Sequence, residues 1–157
     1  MWIRDLSALE CSKILASERL AHLACVDGRQ PYLVPIYFVY SDHHLYSFSM
    51  PGHKIDCMRS NPHICLQVDE RGQGPGWKSV IVQGRYQELD VSPELVRERE
   101  HAWSLLSKHP FWWEPGSLKP IGQAVPRSAD HYEHIYFRVL IDSVTGREAK
   151  DPGTQVP

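Results

Sequence analysis

The chain has 157 residues, with 17 Lys and Arg against 19 Asp and Glu, a formal net charge of −2, and 42% of its residues apolar. At roughly 100–200 residues per domain this is one domain, long enough to bury a real core. The near-neutral charge excludes a protein that lives on nucleic acid or on an anionic membrane, since both require a surplus of positive charge. Ser7-Ala8-Leu9-Glu10 is a capping box, and it opens a helix running to about Ser17 with Leu9, Ile14 and Leu15 on its apolar face. Arg19–Val26 reads as a strand that turns at Asp27-Gly28. Pro31–Tyr40 reads as a second strand, and Leu45–Ser49, after the polar reversal 41–44, as a third.

Met50-Pro51-Gly52 breaks this meander, and His53–Ser60 has helical spacing that Asn61-Pro62 stops. His63–Asp69 is a fourth strand, followed by the glycine-rich connection 71–76. Trp77–Leu89 is a long fifth strand. Ser92-Pro93-Glu94 caps a helix reaching about Lys108. Phe111–Ser128 reads as an ordered loop, His134–Val144 as a sixth strand, and Asp151–Pro157 as a disordered tail after a domain spanning 1–150. Six strands with short helices between them, and no β-α-β-α alternation, predict a mainly β (α+β) fold. The expected architecture is a six-stranded antiparallel split β-barrel with short flanking helices.

Cys11, Cys25, Cys57 and Cys65 include no C-x-x-C pair, and Met1–Leu20 is amphipathic and charged, unlike a secretory leader. Buried reduced thiols in a cytoplasmic protein are the expectation, with no metal. No apolar run approaches the roughly 18–20 residues of a membrane helix. The nine His are scattered, without a ligand pair on one predicted helix, and read as solvated loop residues.

Two segments carry the chemistry. Ser47–Lys54 joins a strand end, through Gly52, to a helix start that holds His53 and Lys54. The segment is either a phosphate site, where free amides, the helix dipole and a lysine that is unfavourable without an anion converge, or the start of a short surface helix carrying a solvated lysine. Ser47 and Ser49 offer hydroxyls from the strand. In Val34-Pro35-Ile36 a proline interrupts an apolar strand. It marks either a local break whose amides and carbonyls meet a flat ligand, or an edge strand guarded against pairing. Phe111-Trp112-Trp113 is an aromatic run suited to a core plug or to a wall over a flat ligand. There is no nucleophile elbow, P-loop or G-x-G-x-x-G.

Taken in order, RLAHLACVDG (19–28), PYLVPIYFVY (31–40), LYSFS (45–49), GHK (52–54), NPHICLQVDE (61–70) and WKSVIVQGR (77–85) resemble one family. This is the flavin-binding split barrels related to pyridoxamine 5′-phosphate oxidase, in the branch that contains the nitroimidazole-resistance proteins. The resemblance spans about residues 7–147. It implies a homodimer with FMN at its interface, Val34, Pro35 and Ile36 lying along the isoalloxazine edge. Tyr46, Ser47, Phe48 and Ser49, with Gly52, His53 and Lys54, would hold the ribityl phosphate, and Arg59 would be a lesser phosphate contact. It further implies Ser79 near the flavin, and Trp77, Lys78 and the Trp112 region reaching in from the second subunit. The oxidase's basic pair is replaced by Pro31 and Ile36, and its C-terminal basic signature is missing from Phe137–Gly146. The cofactor fold is therefore expected without the vitamin B6 activity.

The function this implies is an FMN-dependent oxidoreductase passing electrons from NAD(P)H or another reductant to a small, nitroaromatic acceptor. His22, His53 and Tyr37 are the acid candidates, and no catalytic residue is assigned. The alternatives are a non-catalytic flavin- or haem-binding module and a deazaflavin-dependent reductase.

Overall fold

The computed structural model describes residues 1–72, 74–108 and 134–151. Strand β1 (Trp2–Asp5) and helix α1 (Ala8–Ser17) lead into β2 (Leu20–Asp27), β3 (Gln30–Tyr37), β4 (Val39–Ser41) and β5 (His44–Ser49). Helix α2 (His53–Ser60), β6 (His63–Arg71), β7 (Trp77–Leu89), α3 (Val96–Ser107) and β8 (Ile135–Lys150) complete the described chain. All strand pairs are antiparallel, in the order β3-β2-β6-β7-β8-β5-β4 with β1 added on β8. This is the expected mainly β, α+β split barrel, but its sheet has eight strands rather than six and its ladder does not close.

Two strands account for the difference. Strand β1 is only four residues long and is defined by its pairing to Arg147–Lys150, a partner far away in sequence. The run Pro31–Tyr40 divides at Phe38. Up to Tyr37 the chain pairs with β2, and from Val39 it pairs with β5. Phe38 itself is fully buried, and its N–H donates to the Arg19 carbonyl at 2.9 Å. One chain segment thus forms both ends of the sheet.

The capping box forms as expected: the Glu10 N–H donates to Ser7 Oγ (3.2 Å) and the Ser7 N–H to Glu10 Oε2 (2.8 Å). Helix α3 begins at Val96 rather than Ser92. Asp90 Oδ1 accepts the Ser92 N–H at 2.9 Å and turns the chain there, and the Val96 N–H then donates to the Ser92 carbonyl at 2.9 Å. Strand β8 runs on past Val144 to Lys150, because its far half pairs with both β7 and β1. The aromatic run containing Trp112, and the tail from 152 onward, lie outside the described residues.

The main core fills the barrel. Leu23, Cys25, Ile36, Leu66, Val68, Val80, Val82, Phe137 and Val139 point inward, and α1 and α2 close the ends with Ile14, Leu15, Ile55 and Met58. A second cluster lies beneath α3, where Tyr46, Phe48, Leu89 and Tyr136 meet Ala102 and Leu106. Two turns depend on left-handed backbone. Gly28 (φ +61°) suits the first position of a type II′ turn, whereas Asp42 (φ +49°) and His43 (φ +59°) build a type I′ turn without glycine.

Candidate functional site

The two ends of the sheet face each other across a seam, with β3 on one side and the β5–α2 segment on the other. Counting hydrogen-bonded pairs back from Phe38 and Arg19 puts Pro31 and Pro35 at non-bonded positions of the β2 ladder, opposite Val26 and His22. Their missing N–H groups therefore cost that ladder nothing and face the open edge. Proline 35 is thus an edge-strand residue, and the edge it guards is the wall of the seam. Tyr37 has the same phase, so its carbonyl points across the seam, where Ser47 Oγ donates to it at 2.5 Å. At the other end of β3 the Tyr32 ring meets the His53 ring edge-on at 4.5 Å. His53 Nε2 also lies 3.3 Å from Asp27 Oδ2. Between these two pins run Leu33–Ile36 on one side and Phe48–Gly52 on the other.

Helix α2 opens this seam at its positive end. Its N-cap, Gly52, supplies no side-chain cap to the first amides. The Gly52 φ of 172° is extended backbone that any residue adopts, and a Cβ there would meet nothing within 4 Å. Glycine at 52 is therefore not required by the chain's own packing; it keeps the space before the helix start clear. Lys54 is half-buried and, among the described residues, forms no ion pair, so there a cation sits where the helix dipole is already positive.

The structure gathers Val34, Pro35, Ile36, Ser47, Ser49, Gly52, His53 and Lys54 along this seam. Ser49 Oγ is turned to the Met50 carbonyl (2.8 Å), so both buried serines brace the strand end. Tyr46 and Phe48 point the opposite way, under α3. The Tyr46 hydroxyl donates to Glu98 (3.2 Å), which Arg138 also holds (3.0 Å), and burial pushes the Tyr46 phenol upward. Arg59 is engaged by Glu88 through two bonds of 2.8 and 2.6 Å, an anion any phosphate would have to displace. That guanidinium holds the Glu88 carboxyl below the usual range.

Ser79, Trp77 and Lys78 lie elsewhere, on β7. Lys78 pairs with Glu70 at 2.5 Å, and Ser79 Oγ accepts from Gln67 (3.0 Å), whose amide also bonds Asp69. In one chain these residues do not meet the seam. Trp77 and Ser79 belong to the outer sheet face, where register aligns Pro35, His22, Gln67, Ile81 and Thr145 in one row across five strands, whereas Lys78 shares the inward phase of Val80 and Val82 and lies opposite Glu148. Of the acid candidates, His22 lies on this outer face and His53 and Tyr37 at the seam.

Burial, together with a hydrogen bond from the Cys25 thiol to Cys57, pushes that thiol up to about 12, so it is no nucleophile. All four cysteines are free, and three are buried. Among the described residues no group of His, Cys, Asp and Glu could hold a metal ion, and no helix is long and apolar enough to cross a membrane. Sequence reasoning missed Asp27 and Tyr32, which orient His53, and also Thr145 and Arg147. The signal for the latter pair was the shift in apolar phase between Phe137-Val139-Ile141 and Val144-Gly146.

The family profile described as pyridoxamine 5′-phosphate oxidase matches residues 7–148. The chain belongs to the pyridoxamine 5′-phosphate oxidase-like family of flavin-binding split barrels. A curated relative, an uncharacterised protein of Rhizobium meliloti, is 50% identical over 149 residues, covering 95% of this chain and 97% of its own. The crystal structure of an FAD-binding protein from Mesorhizobium loti shares 53% identity and superposes with a TM-score of 0.79, covering 96% of this chain and all of that one. At 18% identity and a TM-score of 0.66, a candidate 5-nitroimidazole antibiotic resistance protein from Bacteroides thetaiotaomicron shares the fold, over 94% of this chain and 89% of its own.

Proposed function

We propose that this protein binds FMN, with its phosphate at the start of α2 and its ring along the Val34–Ile36 edge, and acts as an oxidoreductase on a small acceptor. The observation that carries this is the half-buried Lys54, without an ion pair among the described residues, at an uncapped helix start with clear space before it. A phosphate there would accept from the first amides of α2 and neutralise Lys54, while Leu33–Ile36 would flank a planar group. His53, fixed by Tyr32 and Asp27, would border the phosphate. When bound, the flavin supplies hydride and single-electron chemistry, and the chain orients it and excludes water. A nicotinamide nucleotide is the proposed donor and a nitroaromatic the proposed acceptor class.

The outer face supports a homodimer. Leu20, Val26 and Leu33 are exposed on β2 and β3, with Ala24 and Ile81 beside them, an apolar surface that a second copy would cover. That copy would bring its Trp77 and Ser79 toward the flavin. The free thiols fit a reducing, cytoplasmic setting. The name of the Mesorhizobium relative favours a second reading, FAD in the same seam, since a diphosphate suits the same helix start.

Reconstitution with FMN, FAD and riboflavin, read by absorption and by mass in solution, tests these readings. FMN is expected to bind a dimer and to bind more tightly than riboflavin. Lys54→Ala should weaken FMN by about 1.5–3 kcal/mol, the range of a charge-assisted contact, and leave riboflavin unaffected. A protein that takes up no flavin, or that shows a haem Soret band instead, would overturn the proposal; tighter FAD binding would select the second reading.

A further inference from the structure

A second concave surface lies on the opposite side of the sheet face from the seam. Asp5 and Leu6 after β1, Trp77 and Ser79 of β7, and Thr145 and Arg147 of β8 line a half-open cleft of about 450 Å³. A bulge builds it. β7 and β8 pair in register until Gln83 opposes Ser143 and Gly84 opposes Ile141, which leaves Asp142 as the extra residue. Before the bulge Phe137, Val139 and Ile141 face the core; after it Gly146 and Glu148 do, and Thr145 and Arg147 are turned outward. On the inner side Gly146 lets β8 pack close against α1 and Leu6, since a Cβ there would strike Cys11 Sγ at 2.7 Å and Leu6 Cδ1 at 2.9 Å.

The chemistry of this lining is specific. Trp77 contributes an indole to the wall. Arg147 sits opposite Ser79 across the ladder and, among the described residues, is held by Asp5 alone, at 3.4 Å, with the two side chains 71% and 85% exposed. A pair that open to solvent contributes little, so a better acceptor can take the guanidinium from it. A carboxylate is that acceptor, because it matches the guanidinium fork with two parallel bonds. Stacking on Trp77 demands that the carboxylate be carried by a flat ring, and Ser79 and Thr145 leave hydroxyls for a polar substituent.

We infer that the cleft between β1, β7 and the far half of β8 binds a planar aromatic carboxylate. Trp77 stacks on its ring and Arg147 binds its carboxylate in place of Asp5. Binding does not depend on a flavin; only the further step, that this ligand is the electron acceptor, rests on the flavin reading, through Ser79.

Calorimetry on the full-length protein, with 4-nitrobenzoate and the uncharged nitrobenzene as probes, tests the inference. The carboxylate should bind at least about tenfold more tightly than nitrobenzene, as a bidentate charged contact implies. Arg147→Gln should bring the two to within about twofold, and Trp77→Leu should weaken both. Arg147 is exposed, so its variant should keep the wild-type melting temperature and flavin uptake. Equal affinity for the two probes, no binding of either, or an unchanged preference in Arg147→Gln would overturn it. Failure to take up flavin, with carboxylate binding intact, would instead remove only the flavin reading.

Discussion

Gly84 sits at the bulge that sets the phase of β8, and Gly84→Ala should show how little slack that junction has. A Cβ on residue 84 would lie 2.5 Å from the Leu140 carbonyl oxygen and 2.7 Å from Val139 Cγ1. The first neighbour is backbone in the middle of the β7–β8 ladder, so no side chain can rotate to make room. Carbon and oxygen in contact settle at about 3.3 Å or more, so the strands would have to part by about 0.8 Å. A shift of that size carries a normal hydrogen bond of about 2.9 Å beyond the distance at which it still counts as one. Losing one such bond costs about 1 kcal/mol and overpacking a further 1–3, against about 0.4–1 kcal/mol gained from the stiffer unfolded chain. The net expectation is a destabilisation of about 2–3 kcal/mol, or about 4–12 °C in a domain of this length. Gly28→Ala is the control, because nothing lies within 4 Å of its Cβ and only its φ of +61° is at stake; it should cost about 1 kcal/mol. Urea titrations followed by circular dichroism and tryptophan fluorescence measure both. If Gly84→Ala falls within about 0.5 kcal/mol of wild type, or is milder than Gly28→Ala, the bulge is not the rigid junction described here.

Two further outcomes follow from the local chemistry. Arg4, donating at 2.7 and 3.1 Å, together with the Ser7 amide, lowers the Glu10 carboxyl from its ordinary 4.5 to about 2. A depressed carboxyl stabilises the fold above its unfolded value and loses that contribution as pH falls toward the folded one. The melting-temperature gap between wild type and Glu10→Gln should therefore shrink between pH 4.5 and 2, and a gap independent of pH there would contradict the assignment. In the 42–43 turn, His43 holds φ +59° at a position that type I′ geometry reserves for glycine. His43→Gly should raise the melting temperature by about 1–3 °C, despite losing the 3.3 Å contact with Tyr40, and a fall would mean that this contact outweighs the strain.

Most of the fold was legible because its boundaries are set by local chemistry. Ser7 and Glu10 start α1, Asn61-Pro62 ends α2, and β7 spans Trp77–Leu89 between a glycine-rich connection and a capped turn. What escaped was decided between distant residues. Nothing in the apolar run from Pro31 to Tyr40 marks Phe38, because the break there is a change of partner from β2 to β5. β1 and the far end of β8 stabilise each other; β1 has no pattern of its own, and the far end of β8 has only the shift in apolar phase after Ile141. The same distinction runs through the site. Gly52, His53 and Lys54 follow from a strand-to-helix junction read locally. The turn of Tyr46 and Phe48 away from the barrel depends on α3 covering them, and the outward turn of Arg147 on the bulge at Asp142.

Pro31 and Pro35 explain why this seam stays open. An exposed strand edge beside another strand tends to zip, and β3 and β5 already touch through Ser47 and Tyr37. With proline at both positions, the edge between residues 31 and 35 keeps one amide donor, that of Leu33, among its carbonyls. A continuous ladder to β5 therefore cannot form, although the ladder to β2 remains intact. The ends of the seam are fixed instead by side chains, Ser47 at one and His53 with Tyr32 and Asp27 at the other. A space held at both ends and prevented from closing along its length is preformed. A flat ligand entering it would meet one amide and several carbonyls of β3, beside the free amides of α2, without first breaking a sheet. The same prolines that guard a lone chain against edge pairing thus also shape the wall proposed for the flavin ring.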